Sequence, residues 1–311
     1  MKLLYLPLLN PAPDGASEQH DLATAFQAAF DTRVFDYLAS PDPENELRRI
    51  FAELQPDICH GQYQEEKRIT PGVLAELKAQ RPGCIFSQWS GDVRPRIMQT
   101  VVDLGRAIDY TLLSNTGQLP LYAEAIGKSC YYWQNAVGPS FIVDDPPGGE
   151  KIVFCGNYYK DCFSLSAERY ALVHALREAF GDRFVVYGNG WDLPTAGGCH
   201  WRGQTRIYAS AFCSIGHNHE IWSSYFSDRQ LIAMAAGRPH VCRWMPELDE
   251  IFDNGNECTM YRTSTEACVQ VQWMLDHPGH ALTVGALGRE AVRLKHTWDT
   301  RVREFREILH V

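Results

Sequence analysis

Lys151-Ile-Val-Phe-Cys155 runs into Gly156-Asn-Tyr-Tyr-Lys-Asp161, then Ser166–Phe180, then Arg183-Phe-Val-Val-Tyr187. The first and last pieces are short apolar runs enriched in β-branched and aromatic residues, the pattern of buried strands. Between them, a glycine-bearing loop leads into a stretch whose apolar positions recur at helical spacing. Strand, loop, helix, strand is a βαβ unit, and such units imply a parallel sheet covered by helices.

The alternation continues in both directions. Downstream, Ala211–Ile215 and Pro239–Cys242 read as strands. Ser227–Ala236 and Thr265–Leu275 read as helices, and the chain from Thr283 onward is largely helical. Upstream, Lys2–Leu8, Arg33–Tyr37, Asp57–His60, Cys84–Trp89, Tyr110–Ser114 and Ser129–Trp133 read as strands. A loop at Asn10–Ala16 precedes Ser17, the expected N-cap of a helix through Phe30; further helices are expected at Glu44–Leu54, Pro71–Gln80 and Leu121–Ile126. The stretch Val143-Asp-Asp-Pro-Pro-Gly-Gly-Glu150 has linker composition. The expected fold is therefore α/β, with two Rossmann-like domains, 1–143 and 144–311, and a ligand-binding cleft between them at the carboxyl ends of the strands.

Composition agrees with this reading and removes other classes. A chain of 311 residues is long enough for two domains. Hydrophobic residues at 45% and aromatic residues at 12% exclude bulk disorder. The net charge of −9 argues against a general nucleic-acid binder, although Arg81, Arg94, Arg96 and Arg106 offer a local basic set. No apolar run is long enough to span a membrane. Met1–Leu9 is too short for a signal peptide. The ten cysteines contain no Cys-x-x-Cys pair. Reduced thiols in a cytoplasmic protein are expected, with no zinc site.

The most informative stretch is Ser227-Asp-Arg-Gln-Leu-Ile-Ala-Met-Ala-Ala-Gly-Arg-Pro239. Pro246–Glu257, Tyr261, Gly288–Val292 and His296-Thr-Trp-Asp-Thr-Arg301 follow it. Residues 150–311 resemble the C-terminal half of GT-B glycosyltransferases, most of all the spore-coat (CgeB/YkvP-like) branch of the group 1 transferases. In that branch a Ser-x-Arg opens a helix ending in Ala-x-Gly-x-Pro, and a His-Thr…Arg element begins the last helix. The first half matches only in its strand–helix rhythm. The resemblance implies a hexosyltransferase-like enzyme whose C-terminal domain binds a nucleotide sugar, UDP-sugar by family frequency. It implies no cofactor and no catalytic metal, an acceptor-binding N-terminal domain, and a last helix that returns to that domain. Many group 1 transferases carry a ribose-gripping glutamate in the middle of the helix, and the matching position here is Ile232. A non-catalytic GT-B-like binding protein is the alternative that this substitution raises.

The residues themselves support a donor site. A helix opening on Ser227, Asp228 and Arg229 presents free N–H groups and a positive dipole end to an anion, and Arg229 adds a charge-assisted bond. Gly156, Asn157 and Lys160 follow one strand, Gly188 and Trp191 the next, and His217 and Asn218 a third; all are candidate donor contacts. Tyr187 and Trp191 are candidates for stacking on the base. His217-Asn-His-Glu220 also admits a metal reading, set against the metal-free chemistry of the family. Glycosyl transfer onto a hydroxyl benefits from a base, and the candidates are Asp92, Glu18 and His20. The acceptor remains open among a small molecule, a glycan, a protein and hydroxymethylated DNA, the last because phage enzymes of this architecture glycosylate modified bases.

Overall fold

The computed structural model describes residues 1–9, 18–63 and 68–311. The loop and N-cap expected over residues 10–17 lie outside the described residues, as does the side chain of Glu18. The chain forms two compact units, Met1–Asn135 with Trp298–Val311, and Ala136–Thr297.

Unit 1 begins with β1 (Lys2–Leu6), α1 (Glu18–Ala29), β2 (Asp31–Val34), α2 (Pro43–Leu54), β3 (Ile58–Gly61) and α3 (Pro71–Gln80). It continues with β4 (Ile85–Ser90), α4 (Gln99–Ala107), β5 (Tyr110–Leu113), α5 (Leu119–Ile126) and β6 (Cys130–Tyr132). The six strands are parallel in the order β2-β1-β3-β4-β5-β6. Pro71 at the first turn and the Thr70 hydroxyl accepting from the Val73 N–H start α3 at the expected residue.

Unit 2 holds β7 (Ile152–Cys155), α6 (Ser166–Phe180), β8 (Phe184–Tyr187), α7 (Trp201–Ala209), β9 (Cys213–Gly216) and α8 (Asp228–Ala235). Then come β10 (His240–Arg243), α9 (Leu248–Ile251), β11 (Thr259–Tyr261), α10 (Ser264–Asp276) and α11 (Pro278–Lys295). Its sheet is parallel in the order β11-β10-β9-β7-β8. The Pro/Gly stretch 143–150 lies within this unit and is fastened to it. The Val143 N–H donates to the Ala235 carbonyl, the Gly148 N–H donates to Ala209, and Arg289 donates to the Val143 carbonyl at 2.9 Å.

The last helix, α12 (Trp298–Leu309), packs on α1 and closes the core of unit 1. Phe26, His60, Trp89, Trp133, Trp298 and Phe305 form one aromatic cluster, with neighbouring ring centroids 4.8–6.4 Å apart. Two indole N–H groups are satisfied inside it: Trp89 donates to the Trp133 carbonyl at 3.0 Å, and Trp133 to the Arg301 carbonyl at 2.7 Å. Most of these rings meet edge to face, a geometry that aromatic pairs favour, while the Trp298 indole N–H is buried there without a hydrogen-bond partner.

Each sheet also carries one buried histidine tied to a serine on the neighbouring strand. His60 Nδ1 lies 2.8 Å from Ser87 Oγ, and His240 Nδ1 lies 2.8 Å from Ser214 Oγ. Burial pulls both imidazoles down to about 3, so they stay neutral cross-strand links. Among the described residues no helix is long and apolar enough to cross a membrane. All ten cysteines are free thiols.

Candidate active site

In the unit 2 sheet, β8 lies on one side of β7 and β9 on the other. The chain therefore reverses direction of sheet growth between β7 and β9, and ligands bind α/β sheets in the crevice at such a point. The residues at the carboxyl ends of these strands are Cys155-Gly156 and Gly216-His217. A cavity of about 20 Å³ sits there, lined by Cys155, Gly216, His217, Ser227, Arg229 and Arg243 among others.

Three arginines converge on this edge. Arg229 projects from the first turn of α8, its side chain 31% exposed, with Asp228 4.0 Å away. Arg243 ends β10 and is clamped on Glu168 through Nε, with Nη2 3.4 Å from the second carboxylate oxygen. Arg169 belongs to the first turn of α6 and is 2% exposed. Among the described residues no carboxylate pairs with it. Its Nη1 donates to the His217 carbonyl at 3.0 Å and lies 3.0–3.2 Å from the His219 ring nitrogens, while its Nε has no hydrogen-bond partner. Burial, and then the neighbouring Arg229 charge, pull its guanidinium down to about 9. It remains a cation at neutral pH, held in a place where a cation is costly without a counter-charge.

Glu168 is the acidic member. Burial would raise its carboxyl, but the facing His217 imidazole, protonated at the low pH where Glu168 titrates, and the Arg243 guanidinium outweigh this and hold it down to about 2. His217, whose side chain is wholly buried, places Nε2 3.4 Å from Glu168 Oε1 and Nδ1 2.6 Å from the Asn218 carbonyl oxygen. Burial is the main cause that lowers its imidazole below the usual histidine value.

Several of the expected donor contacts also make contacts within the protein. Asn157 Oδ1 accepts from the Asn189 N–H at 2.8 Å, and its Nδ2 donates to the Tyr159 hydroxyl at 2.9 Å. It staples the loop after β7 to the loop after β8. Gly188, at φ +147°, belongs to the same junction: a Cβ there would lie 2.2 Å from the Gly156 carbonyl oxygen, so only glycine fits. Gly156 in turn leaves room for Arg169, whose Nη2 would lie 1.9 Å from a Cβ. Trp191 donates to the Gly156 carbonyl at 2.8 Å, stacks on Tyr158 and meets Phe154 edge-on. These contacts build the loop pair. Asn218 Oδ1 accepts from the Ser227 N–H at 3.1 Å and so fixes the entry to α8. The Ser227 hydroxyl makes no cap hydrogen bond. Lys160 is exposed, at φ +52°.

His217, His219 and Glu220 do not form one ligand set. His219 stacks on Phe163, and Glu220 accepts from the Ser164 N–H and hydroxyl. Among the described residues no group of three or more His, Cys, Asp or Glu side chains is placed to hold a metal ion.

In unit 1, Asp92 lies just past β4, 47% exposed, and pairs with Arg94 at 3.2 Å. His20 is an exposed residue in the first turn of α1. The four arginines read as a local basic set divide. Arg81 precedes β4 and Arg106 precedes β5, at the amino edge of the sheet, whereas Arg94 and Arg96 follow β4. Arg81 is also occupied by Asp57, and Arg106 by Asp103 and the Ala125 carbonyl.

Glu168, Arg169 and Arg243 stand at this candidate site and were not among the residues read from the sequence. One signal was present. Arg169 interrupts the apolar stripe formed by Leu165, just before α6, and Leu172, Val173 and Leu176 within it, and a charge on the buried face of a helix needs a reason.

Comparison with known proteins bears on the fold. Residues 169–307 match the family described as glycosyl transferase-like. No curated protein matches the chain in sequence. Sucrose-phosphate synthase from Thermosynechococcus elongatus superposes with a TM-score of 0.68 at 13% identity, covering 100% of this chain and 98% of that one. Anabaena HepE, solved with UDP and glucose, gives 0.66 at 12% identity, covering 100% and 99%. AviGT4, a glycosyltransferase involved in avilamycin A biosynthesis, gives 0.65 at 15% identity, covering 98% and 96%. The fold is the α/β GT-B fold of these glycosyltransferases.

Proposed function

We propose that this protein transfers a sugar, a hexose by family resemblance, from a nucleotide-sugar donor, UDP-sugar first, to a hydroxyl acceptor. The observation that carries the reading is the pair Arg229 and Arg243 in the cavity wall at the β7/β9 switch point, backed by the buried, carboxylate-free Arg169 that donates to the carbonyl of the cavity-lining His217. A diphosphate supplies the negative charge this cluster lacks. The N-terminus of α8 adds backbone donors and a positive dipole end on the same side. In transfer, negative charge grows on the departing diphosphate, and fixed cations aimed at that charge stabilise the transition state. The positive charge in this proposal comes from the chain and not from a metal ion. HepE, solved with UDP-glucose, supports the choice of donor class. The motif series Ser227–Pro239 and His296–Arg301 supports placement near the spore-coat branch.

The acceptor hydroxyl must lose a proton, and unit 1 supplies the proposed base. Asp92 is the first candidate, with Glu18 and His20 behind it. The divided arginines give no single basic track for DNA, so the acceptor is sought first among small molecules, glycans and proteins.

Ile232, 1% exposed in the middle of α8, favours a second reading in which the nucleotide binds without turnover. One experiment separates the two. The protein is incubated with UDP-, GDP-, ADP- and TDP-sugars, and nucleoside diphosphate release is followed with and without an acceptor panel that includes hydroxymethylated DNA. Release from one nucleotide family, raised by an acceptor, is the expected result. Thermal stabilisation by a nucleotide sugar without release supports the binding protein. No stabilisation and no release contradict both.

A further inference from the structure

His217 stands between two groups that can only accept hydrogen bonds. The Asn218 carbonyl oxygen, 2.6 Å from Nδ1, fixes the proton on that nitrogen. Nε2 of the neutral ring then carries a lone pair, yet it faces Glu168 Oε1 at 3.4 Å, and Glu168 is an ionised carboxylate. The arrangement is complete only when Nε2 also carries a proton. Two things oppose that proton. The ring is wholly buried and lines the same cavity as Arg229 and Arg243, and Arg169 donates to the backbone carbonyl of His217 itself.

The groups facing the ring come from every neighbouring element. Glu168 and Arg169 come from α6, Arg243 and the neutral His240 from β10, Arg229 from α8, Tyr208 from α7, Cys155 from β7 and Tyr261 from β11, with its ring centroid 6.5 Å away. His219 sits on its own loop, beyond Arg169. Glu168 favours the second proton and the arginines disfavour it. An anion that settles among the arginines cancels their repulsion and leaves Glu168 to decide.

Resting on the donor-site reading above, we infer that His217 takes up one proton from solvent when the diphosphate of the donor binds. The proton adds to Nε2, no other bond changes, and the site gains a cation only when the anion is present. His217 is a positioning residue in this account. It turns donor binding into a proton-linked event and tightens the donor site as pH falls.

The linkage sign follows from the bound state holding more protons than the free state. Affinity for the donor therefore falls as pH rises, by up to about tenfold per pH unit between the free and bound titration points of His217, and is flat outside that window. The test is calorimetric titration with UDP-glucose, whose diphosphate diester has no proton to lose near neutral pH. Runs at one pH in buffers of different ionisation heat give the number of protons taken up. Uptake approaching one proton in the wild type, and none in His217→Gln, is the expected result. In parallel, the wild-type His217 ring nitrogens, followed by NMR in imidazole-labelled protein, are expected to show Nε2 protonation on adding UDP-glucose. This readout stands even if the variant does not fold. Binding without proton uptake, or uptake that persists in His217→Gln, overturns the inference and leaves the donor site intact. Failure of UDP-glucose to bind at all counts against the UDP-sugar reading, and the inference falls with it.

Discussion

Arg229→Ala is expected to lower kcat/KM for the nucleotide sugar by about 100- to 1000-fold while leaving the fold in place. The magnitude is that of removing one fixed donor from a developing anionic charge. Arg229 is 31% exposed and its nearest acidic neighbour is 4.0 Å away, so its loss widens the existing cavity without emptying a core position and breaks no tight ion pair. Stability should change little. Arg229→Lys should recover part of the activity only, because an ammonium keeps the charge but not the planar fork. The check is steady-state kinetics beside a melting curve for each variant. Full activity in Arg229→Ala would remove α8 from the donor site.

Trp298→Ala is the largest stability change expected in unit 1. Trp298 is 1% exposed and packs against Trp89 and Trp133, with ring centroids 5.7 and 6.0 Å away. Truncating a buried tryptophan costs about 3–5 kcal/mol through lost transfer energy and the cavity left behind. For a unit of this size that lowers the melting temperature by on the order of 10 °C. The loss should be confined to the transition of unit 1, since Trp298 is its first residue after the chain returns from unit 2. Calorimetry of the variant would resolve this. A melting curve equal to wild type would mean that α12 is not part of the unit 1 core.

The fold class was legible because parallel α/β sheets repeat a simple rhythm, short apolar strands separated by capped helices. Pro71, Thr70 and the apolar run Leu231–Ala236 each agree locally with the structure they form. Four of the described elements were missed: β11 and α9, of three and four residues, are too short to show a period, and in α4 and α7 local signals conflict. α4 carries the β-branched pair Val101-Val102, and α7 carries Gly203 in its middle. Both form because one face is covered, which a short window does not reveal.

The site was legible in part, and the division has a physical cause. Ser227, Arg229 and His217 stand at the ends of recognisable elements, and the structure brings all three to one cavity. Arg243 and Glu168 meet across 75 residues of sequence, so no spacing announces them. Asn157, Gly188 and Trp191 looked like ligand contacts because they are polar, permissive or aromatic residues at strand ends. In the structure they hold two neighbouring loops together. The same residue types suit a ligand and a tight loop junction, and only the three-dimensional partners distinguish them.

The most direct test of the account is a crystal structure of the protein with UDP. The account predicts the diphosphate at the carboxyl ends of β7 and β9, with its oxygens about 3 Å from the Arg229 guanidinium and from the first N–H groups of α8. UDP bound elsewhere, with Arg169, Arg229 and Arg243 unchanged and without an anion among them, would contradict it.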